Sequence, residues 1–201
     1  TFKELAWGLA TRGVAVLRYD KRTNGCAVDL SDVTVDDVTV DDALTAVERL
    51  RAHDRVAPDY VFLVGHSIGG ALAPRIAARD GRLAGAVMLA PGPVRPIAET
   101  VLDQEQYLIE QQDLPEQKRK EALEKARAKA EKIRSLDIGD DEVLLGLGGR
   151  EYFLSLAEYD GPANAADREI PLFVGQGDRD YQVTLEDDFA IWRDALSGQS
   201  A

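Results

Sequence analysis

Ser67 has the sequence surroundings of a catalytic nucleophile. It is the central residue of Gly-His-Ser-Ile-Gly (residues 65–69), which directly follows the apolar run YVFLV. In a Gly-x-Ser-x-Gly turn between a strand and a helix, the serine hydroxyl stands clear of the sheet and can attack a carbonyl carbon. The flanking glycines, Gly65 and Gly69, permit the sharp turn, and the amide of Ile68 would point at the substrate oxyanion. The alternative interpretation is a structural turn that happens to contain a serine.

A serine nucleophile also needs a general base, and neither histidine of the sequence suits that role. His53 lies in the loop before the strand that leads to Ser67, where a surface loop histidine is the simpler interpretation. His66 directly precedes Ser67, so its backbone is committed to the turn and its ring is predicted to point away from the hydroxyl. These residues therefore give Ser67 no base.

Helix and strand patterns alternate around this turn. Apolar residues recur at helical spacing in four segments and form short apolar runs in four others. The predicted helices cover residues 1–12, 40–50, 67–80 and 184–198, and the predicted strands cover residues 14–19, 60–64, 84–90 and 172–175. Pro74 is predicted to bend or shorten the third helix. This alternation predicts a parallel, three-layered α/β sheet, with the turns after residues 64 and 175 at the same edge.

A long, largely helical excursion over residues 97–168 interrupts this alternation. It is predicted to form a helical cap, inserted into a core domain made of residues 1–96 and 169–201. The cap carries four aromatic residues, Tyr107, Tyr152, Phe153 and Tyr159. They could shape an apolar substrate pocket, although ordinary packing is the simpler explanation.

Composition excludes several classes of function. Acidic residues outnumber basic ones by 36 to 24, a formal charge of -12, so a nucleic-acid backbone would be repelled. Cys26 is the only cysteine, which rules out an intramolecular disulfide, and two histidines give no zinc pattern. No apolar run approaches the roughly 20 residues of a membrane span. The acidity is typical either of a salt-adapted protein or of a well-solvated acidic mesophile.

Several stretches occur in the order found in α/β-hydrolases: FKELAWGLATRGVAVLRYDKRT, then VGHSIGG, the helical cap and GQGDRDYQV. Over nearly all of its 201 residues the chain resembles this superfamily, near the serine esterase, dienelactone-hydrolase-like and acyl-CoA thioester hydrolase branch. In these enzymes the acid of the triad lies in a Gly-x-x-Asp turn after the strand that follows the cap. The resemblance therefore implies Asp180 as the acid. Asp178 is the rival, and could instead be a solvated carboxylate of the turn.

The same resemblance implies two parts of the active site that the 201 residues do not contain. In the family the triad histidine follows the acid, and no histidine follows residue 66 here. A His-Gly loop that supplies the second oxyanion amide precedes the first helix in the family. The chain is therefore expected to be the interior of a longer enzyme, incomplete at both ends, and inactive by itself.

Three functions remain open from the sequence. The first is a serine hydrolase that cleaves a small-molecule ester or thioester through an acyl-enzyme on Ser67. The second is a catalytically silent domain that keeps the fold for binding or regulation, and the third is an acyltransferase on the same scaffold. No cofactor and no metal are implied.

Overall fold

A computed structural model describes residues 2–167 and 169–198 of the chain. The predicted boundary between cap and core at residue 168 lies outside the described residues, as do residues 199–201 of the predicted core domain. The division of the chain into two domains remains a prediction.

Helices and short strands follow one another along the described residues. The helices are α1 (Phe2–Ala10), α2 (Arg22–Gly25), α3 (Asp41–Arg51), α4 (Ile68–Ala71), α5 (Ala73–Asp80), α6 (Ile97–Glu110), α7 (Glu116–Ser135), α8 (Arg150–Ala157), α9 (Gly161–Ala166) and α10 (Ala190–Leu196). The strands are β1 (Phe62–His66), β2 (Gly85–Leu89) and β3 (Leu172–Gly175). π-Helical turns at Asp36–Val40 and Leu185–Phe189 lead into α3 and α10.

The three strands form one parallel sheet in the order β1-β2-β3. β1 pairs with β2 from Phe62 opposite Gly85 to His66 opposite Leu89, and this pairing sets its limits two residues later than predicted. β2 and β3 match their predicted positions. Because the strands are parallel, the turns that follow them lie at the same edge of the sheet, as the α/β pattern predicted.

The predicted strand over residues 14–19 is wrong. This segment has no regular secondary structure, and Val14, Val16 and Tyr19 are exposed. A strand needs a hydrogen-bonded neighbour, and among the described residues β1 pairs with β2 alone. Because this segment has no such neighbour among the described residues, its β-branched residues are not enough to make it a strand.

Helices flank the sheet unequally. On one face, Ala86 and Met88 of β2 pack in a cluster with Ala71, Ala165 and the fully buried Trp192, which come from α4, α9 and α10. The opposite face carries three exposed apolar side chains, Phe62, Val64 and Phe173. Helix α1 touches this face at one end, where the ring of Phe2 meets that of His66 edge to face at 5.8 Å.

The segment between β2 and β3 is helical, as its spacing predicted, with α6 packed along α7. Several of its side chains belong to a core that they share with the rest of the fold. Val101 of α6 and Phe153 of α8 belong to the same hydrophobic cluster as Val47 of α3 and Ile76 of α5. The helices between β2 and β3 are therefore held to the rest of the fold by shared apolar packing.

Candidate functional site

The backbone of Ser67 is strained and held in place by hydrogen bonds. Its φ of 53° and ψ of -126° lie in a region that L-residues rarely adopt. Its amide donates to the carbonyl of Leu89 at 3.0 Å, and its own carbonyl accepts from the amides of Gly70 at 2.9 Å and Gly92 at 3.3 Å. β1 ends at His66 and α4 begins at Ile68. Strain that is fixed in this way is common at functional sites.

The glycines around Ser67 differ in what they do. A Cβ at Gly65 would overlap the carbonyl oxygen of Gly69 and lie 2.8 Å from the amide nitrogen of Gly70, so only glycine fits there. A Cβ at Gly70 would lie 3.2 Å from Cα of Pro91. At Gly69 a Cβ would meet nothing within 4 Å. On the C-terminal side of Ser67, the position where close packing favours glycine is therefore Gly70, and not Gly69 as the sequence motif indicated.

We expect Gly65→Ala to destabilise the protein by about 3 kcal/mol, because backbone atoms must move to admit the methyl group. The matched variant Gly69→Ala is expected to change the free energy of unfolding by less than about 1 kcal/mol in either direction, since helical alanine costs nothing. Urea unfolding followed by circular dichroism measures both. Equal destabilisation by the two substitutions would contradict this geometry.

The Ser67 hydroxyl makes no hydrogen bond to any residue that the structure describes. Ile68 is the first residue of α4, so its amide has no acceptor within the helix. The turn at residues 65–69, called the elbow below, therefore presents a hydroxyl and an adjacent backbone donor that have no partner in the described part of the chain.

The polar turn after β3 covers residues 176–183 and is called the acid turn, because it contains both candidate acids. It orients one of the two. Oδ1 of Asp180 accepts from the amides of Gln182 at 2.9 Å and Val183 at 3.2 Å, and Oδ2 lies 3.3 Å from the side-chain nitrogen of Gln176. Asp178 is exposed and makes no hydrogen bond within the described part of the chain. The turn thus holds the carboxylate of Asp180 and leaves that of Asp178 in solvent.

The two turns lie at one edge of the sheet, and the strands that precede them are not neighbours. β1 and β3 are separated by β2, which puts them two strand spacings, or about 10 Å, apart. The loop after β2 contacts both turns. Gly92 of this loop donates its amide to the carbonyl of Ser67, and a Cβ at Gly92 would lie 2.8 Å from the side chain of Val183. A third group is needed to connect the Ser67 hydroxyl with Asp180.

Neither histidine provides that connection in the described residues. The ring of His66 packs against Phe2, on the exposed face of the sheet. Nδ1 of His53 accepts from the amide of Arg55 at 3.2 Å and lies 3.6 Å from Asp54. His53 precedes β1, so it lies at the opposite edge from Ser67.

The four aromatic residues of the cap have different surroundings. Tyr152 and Phe153 are buried in the shared core, and burial raises the pKa of Tyr152 to about 12. The Tyr159 hydroxyl donates to the carbonyl of Ala71 at 3.1 Å. Tyr107 alone of the four is exposed, and its ring stacks on Tyr181 in the acid turn, with centroids 4.5 Å apart. Ordinary packing explains the first three.

Sequence reasoning missed the polar residues that support the turns. Gln176 donates to the carbonyl of Val183 at 2.6 Å and so closes the acid turn. Arg95 contacts both Asp103 and the fully buried Asp188. The position of Gln176 between two glycines was the only local signal for either residue.

Over residues 2–167 and 169–198, no group of three or more potential metal-ligating side chains is close enough to hold an ion. No helix within the same residues has the length and apolarity required to cross a membrane.

Known proteins resemble this chain over nearly its whole length. The family model described as serine aminopeptidase, S33 (Hydrolase_4) matches residues 1–188. Esterase EstD from Thermotoga maritima is 42% identical over 199 residues, which are 98% of this chain and 45% of that protein. The chain thus spans less than half the length of this curated relative. The strand-elbow-helix around Ser67, the parallel sheet and the family match together place the chain in the serine aminopeptidase S33 family of α/β-hydrolases.

Proposed function

We propose that this chain carries the nucleophile of a serine hydrolase that cleaves carboxylic esters. The observation that carries the proposal is the backbone of Ser67, held at a φ of 53° between β1 and α4, with a hydroxyl that has no hydrogen-bond partner among the described residues. Strain of this kind costs on the order of 1–3 kcal/mol and persists only where the surroundings impose it. A serine with a purely structural role would not require it.

The proposed reaction starts with attack of Ser67 Oγ on the ester carbonyl carbon. A histidine from outside these 201 residues takes the hydroxyl proton, and the amide of Ile68 donates to the oxyanion that forms. Collapse of the tetrahedral intermediate expels the alcohol, which receives the proton from the histidine. Water then attacks the acyl-enzyme by the same steps and releases the carboxylic acid.

Asp180 is the proposed acid that orients this histidine. Two backbone amides fix one oxygen of its carboxylate, and the other oxygen faces Gln176, so its position is set before any partner arrives. The two strand spacings between β1 and β3 leave room for an imidazole between Ser67 and Asp180. Asp178 is exposed and has no such constraint from the described residues.

An oxygen ester is favoured over a thioester as the substrate, because the relative is named an esterase. The full-length gene product should be assayed with p-nitrophenyl butyrate and butyryl-CoA at equal concentrations. We expect turnover of the ester to exceed that of the thioester. A catalytically silent domain would turn over neither substrate, and an acyltransferase would pass the butyryl group to an added alcohol in preference to water.

The 201-residue chain alone is expected to give negligible turnover in the same assay, because Ser67 has no base. Turnover by this chain that disappears in Ser67→Ala would mean that His53 or His66 reaches the hydroxyl in solution.

A further inference from the structure

The side chain of Arg95 joins three segments around the acid turn. Arg95 lies in the loop after β2, and its side chain is only 19% exposed. Its Nε lies 3.3 Å from Oδ1 of Asp188, which follows the acid turn, and its Nη1 lies 2.8 Å from Oδ2 of Asp103 on α6. The guanidinium of Arg95 therefore links three segments, which are the loop after β2, the segment after β3 and helix α6.

The contact with Asp188 continues to Asp180. Asp188 is fully buried, and its Oδ2 accepts from the amide of Thr184 at 2.9 Å. The preceding residue, Val183, donates its own amide to Oδ1 of Asp180 at 3.2 Å. The adjacent amides of Val183 and Thr184 are thus held by the carboxylates of Asp180 and Asp188. The buried carboxylate of Asp188 depends on Arg95 for its positive countercharge.

Helix α6 also contacts the acid turn directly. Its Gln104 side chain donates to the carbonyl of Gln182 at 2.9 Å, and Tyr107 stacks on Tyr181. The amide of Gln182 in turn donates to Asp180 at 2.9 Å. The turn is therefore held by α6 as well as by the contacts that lead to Arg95.

The loop that carries Arg95 is also bonded to the nucleophile residue. Gly92, three positions before Arg95, donates its amide to the carbonyl of Ser67 at 3.3 Å. We propose that Arg95 is a positioning residue for Asp180, which fixes the acid turn relative to Ser67 and to helix α6. This inference rests on the proposed function, since it assigns Arg95 a role through the proposed acid.

Arginine suits this position because it presents several donors in a rigid plane to two carboxylates at once. Removing it would leave Asp188 as a buried carboxylate without its cation, and the segment around Thr184 would have to move to hydrate it. A displacement of about 1 Å at a catalytic group can cost on the order of 100-fold in rate.

The experiment is a double-mutant cycle on the full-length gene product, with kcat for p-nitrophenyl butyrate as the readout. We expect Arg95→Met to lower kcat by about 30- to 100-fold. In the Asp180→Asn background the same substitution is expected to change kcat by less than about 3-fold, since its effect passes through Asp180. Arg193→Met is the matched control: it removes an exposed arginine paired with Asp194 and should leave kcat unchanged.

An unchanged kcat in Arg95→Met, or an equal loss in both backgrounds, would overturn the inference. If Arg95→Met fails to fold by circular dichroism, Asp103→Asn replaces it, because that substitution removes the negative charge only from the half-exposed contact between Arg95 and α6. A loss of about 3- to 10-fold, again confined to enzyme that retains Asp180, is then expected. A wild-type kcat in Asp180→Asn itself would instead refute Asp180 as the proposed acid, on which this inference rests.

Discussion

Replacement of Ser67 by alanine is expected to reduce ester hydrolysis by the full-length gene product at least about 10⁴-fold. The substitution removes the only atom that can form the acyl-enzyme, while the amide of Ile68 remains able to bind the carbonyl oxygen. The loss is therefore expected in kcat, with KM within about 3-fold of the wild-type value. Initial rates with p-nitrophenyl butyrate over a range of concentrations separate the two constants.

Ser135→Ala is the matched control for this substitution. Ser135 ends α7, and within the described residues its hydroxyl donates only to carbonyls of its own helix, the nearer at 2.8 Å. We expect its loss to leave both constants unchanged. Wild-type turnover in Ser67→Ala would show that another residue performs the chemistry and that the elbow is structural.

Asp180→Asn is expected to lower kcat by about 10⁴-fold, because an amide cannot stabilise the imidazolium or hold it in the required tautomer. Asp178→Asn, two residues away in the same turn, is expected to change kcat by less than about 3-fold. The difference follows from the geometry, in which backbone amides orient the carboxylate of Asp180 and leave that of Asp178 in solvent. The same ester assay measures both variants.

A larger loss from Asp178→Asn than from Asp180→Asn would reverse the assignment of the acid. Circular dichroism of both variants is the necessary control, since Asp180 also accepts the hydrogen bonds that shape its turn. A variant that keeps the wild-type spectrum and melting temperature while losing kcat places the effect in the chemistry.

Local patterns predicted the elements that depend on neighbours in sequence. The third predicted helix divides at Leu72 into α4 and α5, and Pro74 lies in the first turn of α5, where its missing N–H costs no hydrogen bond. The strand-turn-helix around Ser67 was predicted for the same reason, since its glycines and its apolar run are contiguous. The strand that was predicted at residues 14–19 does not form, because a strand depends on a partner that its own residues do not specify.

The support of the site depends on residues that are distant in sequence. Arg95 and Asp188 are 93 positions apart, and neither lies in a motif, so only the folded chain brings them together. The steric role of Gly70 likewise depends on Pro91, which follows a different strand. Sequence reasoning could therefore name Ser67, Ile68 and two candidate acids, but could not identify what holds them in place.

The site of covalent labelling by a fluorophosphonate tests the assignment of Ser67 as the nucleophile most directly. Trypsin releases residues 56–75 as one peptide, VAPDYVFLVGHSIGGALAPR, which contains a single serine. For the active full-length gene product, tandem mass spectrometry is expected to place one adduct on that serine and none on any peptide of Ser67→Ala. Labelling of another serine, or an unlabelled peptide in enzyme that the reagent has inactivated, would contradict the central claim.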